Sequence, residues 1–130
     1  IRYYNNKIGK MAKKRFFEVI TNTCKAFGAE AEIEFVKGYP PTINHLKPSQ
    51  FAYEAAKKVI GIKATEKQNP MMGSEDFSYF LNEVPGAFAW IGNGKSASLH
   101  NPKYDFNDEI LTTGASYLAT LAEDYLKVVR

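Results

Sequence analysis

The chain has 130 residues, 45% of them hydrophobic and 14% aromatic, which suffices for a domain-sized core and excludes wholesale disorder. Its single cysteine, Cys24, rules out an internal disulfide and fits a reducing, cytoplasmic setting. No apolar run approaches the ~20 residues that span a bilayer, so no membrane partner is expected.

The chain opens on "IRYYNNKIGK", on Ile1 rather than Met and without the apolar stretch of a signal peptide, and reads as a piece of something longer. "IRYY" is short and β-prone. Ile8, Ala12, Phe16, Val19, Ile20, Cys24 and Phe27 then recur at steps of three and four, predicting an amphipathic helix capped by Asn5 or Asn6 and stopped at Gly28. Cys24 on its apolar face reads as a buried thiol.

The formal net charge of +3 is uneven: residues 1–70 carry 13 basic and 6 acidic side chains, residues 71–130 carry 4 and 8. The basic excess begins on this first helix, with Arg2, Lys7, Lys10, Lys13, Lys14 and Arg15. A nucleic-acid patch is one reading of that cluster. A solvated helix face is preferred, because no aromatic and glycine pattern of an RNA-binding module accompanies it, and no nucleic-acid partner is expected.

"AEIEFV" alternates Ala31, Ile33 and Phe35 against Glu32 and Glu34, which predicts a strand. Strand, basic helix, strand describes half of a small α+β sandwich. Gly38 and the Pro40-Pro41 pair break the pattern, placing a boundary near residue 40.

Beyond it, Pro48 suits the first turn of a helix with Phe51, Ala52, Ala55, Ala56, Val59 and Ile60 inward, ended by Gly61. His45, just before it, reads as solvated. "GIKATEKQ" fits a strand or an irregular link equally. Ser74 before Glu75 and Asp76 predicts a short capped helix after Gly73, and "AFAWI" a buried strand followed by a turn at "GNG". Ile110, Leu111, Ala115, Leu118, Leu121, Ala122, Tyr125 and Leu126 mark a last helix, capped by Asn107 or Asp108. This second part reads as an incomplete α/β unit.

By themselves the polar motifs favour structural roles. "GSEDF" is foremost a capped helix start, although its free backbone N–H groups could hold a substrate carboxylate. Glu75 and Asp76 are adjacent and diverge on a helix, unlike a paired acid/base device. His100 in "SLHNPKYDFND" is one imidazole in a loop, with Asp105 and Asp108 read as turn and cap residues. No Gly-x-Ser-x-Gly elbow is present.

Three segments, "GYPPTIN", "MGSEDFSYFLNEVPGAFAWIGNG" and "LHNPKYDFNDEIL", resemble the M20 metallopeptidase family in the same order. The nearest branch is its amidohydrolases, which act on N-acyl amino acids, hippurate and auxin conjugates. The resemblance implies an α+β / α/β fold: the C-terminal part of an M20-type two-domain fold. Residues 1–40 would be the tail of a lid, or dimerisation, domain that forms homo-oligomers, and residues 41–130 the returning part of the catalytic domain.

It further implies that His100 is a ligand in a centre of two divalent ions, zinc, manganese or cobalt. Those ions would activate a bridging water and polarise the amide carbonyl of a small N-acyl amino acid. Gly73, Ser74, Glu75 and Asp76, and more weakly Asn44, become substrate-side contacts or supports for the ligands. The family's Cys-Gly-His-Asp segment, glutamate pair and further histidine are absent from this chain. It is therefore expected to bind no metal and to be inactive alone, with no catalytic group of its own. The contrasting reading is a non-catalytic α+β assembly or binding module.

Overall fold

A computed structural model describes residues 1–62 and 68–128. They contain four helices: α1 (Asn6–Ala26), α2 (Leu46–Ile60), α3 (Ser78–Glu83) and α4 (Ile110–Val128). The chain divides into two compact units, one of Ile1–Ile43 with Asn69–Val84, the other of Asn44–Gln68 with Pro85–Arg130. Among the described residues no helix is long and apolar enough to cross a membrane.

In the first unit α1 begins where the Asn5 side chain accepts a hydrogen bond from the Ile8 amide at 2.9 Å. It ends in a Schellman turn: Gly28, at φ +69°, donates to the Lys25 carbonyl, and Ala29 donates to that of Cys24. The predicted apolar face is only half covered. Ala12, Ile20 and Cys24 are half-buried, whereas Ile8, Phe16, Val19 and Phe27 are exposed, so the thiol is not enclosed. Phe17, outside the predicted stripe, is the residue that packs on Phe35 at 5.8 Å, with the Lys13 ammonium 4.3 Å from the Phe35 ring. Tyr4 and Arg2 reach the 70–74 segment through side chains, to the Pro70 carbonyl and the Ser74 hydroxyl.

In the second unit α2 packs against α4. Ala55 is buried, Phe51 meets Tyr125 edge-on at 5.8 Å, and Lys58 pairs with Asp124 at 2.6 Å. Gly61, at φ +78°, closes α2 as predicted, and its amide donates to the Lys57 carbonyl. Ile91 lies against Gly114 of α4, where an added Cβ would stand 3.4 Å from its side chain. Burial raises the Tyr117 hydroxyl pKa above its ordinary 10.0.

The expected α+β / α/β class is not what the structure shows: the described residues are helical or irregular, with no strand and no sheet. In "AEIEFV" the alternation survives in part, Ile33 and Phe35 half-buried between exposed Glu32 and Glu34, yet no backbone ladder forms. "AFAWI" likewise joins no strand ladder, and Trp90 and Ile91 are exposed rather than buried. "IRYY" is irregular too. A strand exists only through a neighbouring strand that takes its N–H and C=O groups, and the described residues include no strand. The "GIKATEKQ" reading lies largely outside the described residues.

Candidate functional site

His100 sits midway along a loop running from Asn93 to Asn107 in the second unit. The Asn101 amide donates to the Ser98 carbonyl at 3.1 Å, forming a turn with His100 inside it. His100 has φ +66° and is the one non-glycine residue with positive φ among those described. Histidine is among the few side chains enriched in this left-handed region. Its imidazole is exposed. Asn101 then accepts from the Lys103 amide through Oδ1 and from the Tyr104 amide through its carbonyl, both at 2.9 Å.

The two ends of this loop are tied together by side chains. Asn93 donates from Nδ2 to the Asp105 carbonyl at 2.7 Å and accepts from the Asn107 amide at Oδ1 at 2.8 Å. The Ser96 hydroxyl donates to the same Asp105 carbonyl at 3.1 Å and accepts from the Asp105 amide at 3.4 Å. Asn107 in turn accepts from the Glu109 amide at 3.0 Å, leading the chain into α4. Asp105 thus contributes its backbone here. A shallow polar depression beside the clasp is lined by Lys95, Lys103, Asp105 and Asp108 among others, without His100.

"GSEDF" belongs to the first unit. Gly73, Ser74 and Asp76 are exposed and Glu75 is half-buried. Ser74 does not cap a helix as predicted, because α3 starts four residues later at Ser78. Its hydroxyl accepts from the Arg2 guanidinium at 2.6 Å. Glu75 does the local capping instead: Oε1 accepts from the Phe77 amide at 3.2 Å, and its carbonyl accepts from Ser78 N and Thr42 Oγ1.

Asn44 lies in the second unit and holds both backbone groups of Phe88, donating to its carbonyl and accepting from its amide, each at 2.8 Å. His45 continues the pattern. Its amide donates to the Gly86 carbonyl at 3.0 Å, and its Nδ1 accepts from the Gly86 amide at 3.2 Å. The imidazole that reads as merely solvated is therefore engaged; Asn44 supplies to "AFAWI" two of the bonds a neighbouring strand would give, and His45 does the same for Gly86 just before it.

Among the described residues, no three His, Cys, Asp or Glu side chains come together in a group able to hold a metal ion. His100 offers one nitrogen donor, and a di-metal centre needs several around open positions. The residues present do not make such a centre. Sequence reasoning missed Asn93 and Ser96: "GNG" announces a turn, and nothing local shows that its asparagine reaches residues 105 and 107.

Residues 5–124 match the description of peptidase family M20/M25/M40. The chain is 34% identical over 128 residues to hippurate hydrolase of Campylobacter jejuni, covering 98% of this chain and 33% of that protein. It is 33% identical over 134 residues to IAA-amino acid hydrolase ILR1-like 4 of Arabidopsis thaliana, covering 96% of this chain and 30% of that protein. N-acetyldiaminopimelate deacetylase of Streptococcus suis is 34% identical over 131 residues, with 98% and 33% covered. The chain spans about a third of the length of the curated relatives it matches.

Proposed function

Since the chain belongs to peptidase family M20/M25/M40, on the amidohydrolase side of it, we propose that it is part of a metal-dependent enzyme cleaving the amide bond of N-acyl amino acids. The observation that carries this reading is likeness along nearly the whole chain to proteins named for amide hydrolysis, at 33% and 34% identity. Residues 1–40 are assigned to the tail of a lid domain, and residues 41–130 to the catalytic domain.

His100 is assigned as one imidazole ligand, exposed and held in a shaped loop. Gly73, Ser74, Glu75, Asp76 and Asn44 are candidates for substrate-side contacts or for supporting the ligands. Of these, Ser74, Glu75 and Asn44 already have polar partners for their side chains, which favours a supporting role for them. The chain alone is assigned no turnover, a reading supported by the absence, among the described residues, of a His, Cys, Asp or Glu group able to hold a metal ion. Homo-oligomers through the lid segment belong to the same reading, and the exposure of Ile8, Phe16, Val19 and Phe27 on α1 is compatible with a covered face.

The test is hydrolysis of hippurate and a panel of N-acetyl and indole-3-acetyl amino acids by the complete protein that carries this chain. Turnover is expected there, is absent from the 130-residue chain, and falls at least about 100-fold in His100→Ala, since outer supports alone are worth 10- to 100-fold. Turnover by the chain alone that His100→Ala abolishes refutes the partial-site reading. Full activity of His100→Ala in the complete protein refutes the ligand assignment.

A further inference from the structure

A left-handed backbone at a non-glycine residue is uncommon and persists where the surroundings hold it. At His100 the nearby bonds are the Ser98–Asn101 turn and the Asn101 contacts. The loop is exposed at Leu99, His100 and Asn101, so packing does not supply the constraint. Beyond those local bonds, the loop is closed at its base by a side-chain clasp. Asn93 uses its planar amide in both senses at once, on the Asp105 carbonyl and the Asn107 amide, at 2.7 and 2.8 Å. No other standard side chain of that length carries a donor and an acceptor so arranged. Ser96 adds two longer bonds to Asp105. Fixing the loop ends this way shortens the free chain around His100 and removes much of its conformational freedom.

We propose that Asn93 is a positioning residue for His100: by clasping Asp105 and Asn107 it closes the base of the loop and sets where that imidazole stands. The proposal rests on reading His100 as a functional imidazole. Asn93 itself is assigned no contact with substrate.

The experiment compares Asn93→Ala, Asn93→Asp, Ser96→Ala and His100→Ala in the complete protein that carries this chain. It reads amide hydrogen exchange at Asn107, the NMR signals of the His100 imidazole, the thermal midpoint, and kcat and KM on the N-acyl amino acid that the unmodified protein turns over fastest. Asn93→Ala is expected to speed Asn107 exchange, to shift and broaden the His100 signals, and to lower kcat on the order of 10- to 100-fold, with KM changed less than about threefold. Asn93→Asp keeps the acceptor for the Asn107 amide and loses the donor, so it should fall between, and it serves if the alanine variant does not fold. Ser96→Ala should act in the same direction and less.

Unchanged Asn107 exchange and unchanged His100 signals in Asn93→Ala overturn the proposal outright. A lower thermal midpoint with kcat per folded molecule preserved overturns it in favour of a purely structural clasp. If His100→Ala abolishes turnover while Asn93→Ala leaves it intact, the positioning role fails and the ligand assignment stands. If His100→Ala leaves turnover intact, the ligand assignment fails and takes the positioning role in catalysis with it, while the exchange data still decide whether the clasp exists.

Discussion

Replacing Asn44 with alanine removes two hydrogen bonds at once, each 2.8 Å, to the amide and the carbonyl of Phe88. A neutral hydrogen bond contributes about 0.5–1.5 kcal/mol net, and this one is partly exposed, so water replaces some of the loss; about 1–2 kcal/mol is expected for the pair. The bonds of His45 to Gly86 remain and keep residues 85–86 in place, so the effect should be local. The direct assay is amide hydrogen exchange at Phe88, where such a loss means roughly 5- to 30-fold faster exchange. Asn44→Asp separates the two bonds: the carboxylate still accepts from the Phe88 amide but faces the Phe88 carbonyl with negative charge. Its Phe88 amide should stay slow to exchange while stability still falls. Phe88 exchange within about twofold of the parent in Asn44→Ala would refute the idea that this side chain substitutes for a strand neighbour.

Other substitutions probe the rest of the fold. Asn5→Ala should destabilise α1 by about 1 kcal/mol through loss of the cap to the Ile8 amide, read as lower helicity or thermal midpoint. Ala55→Leu should cost about 1–3 kcal/mol in the second unit, because Ala55 is 1% exposed where α2 meets α4, and Ala55→Ser should cost less; denaturant melts rank them. Tyr117 has its pKa raised by burial, so its contribution to stability is fully present below pH 10 and is lost as pH rises through its folded value. Tyr117→Phe should therefore flatten the alkaline end of the stability curve, followed by tyrosinate absorbance and melting in parallel.

The family was legible because its motifs are contiguous. "LHNP" singles out His100 only through the resemblance to a family, and that family is the one residues 5–124 match. The role of "GSEDF" was harder to read. Ser74 ahead of two acids is a sound helix-start pattern, yet an arginine 72 positions away takes the serine hydroxyl and Glu75 caps the turn in its place. Asn44 and Asn93 gave no local sign of their partners, which lie 44 and up to 14 residues along the chain.

The sequence by itself determined α1, α2 and α4, with the start of α1 and the C-terminal ends of α1 and α2, though not the start of α3. An α-helix closes its hydrogen bonds within four residues, so spacing, Asn5, Gly28 and Gly61 contain nearly all the information needed. Whether "AEIEFV" and "AFAWI" become strands depends on a partner backbone arriving from far along the chain, and the alternation of side chains is silent about that partner. Tertiary structure alone decided those segments, leaving them outside any strand ladder among the described residues and giving Phe88 a side-chain amide in place of one. It also placed His100 in the left-handed region, which the residue type permits without requiring.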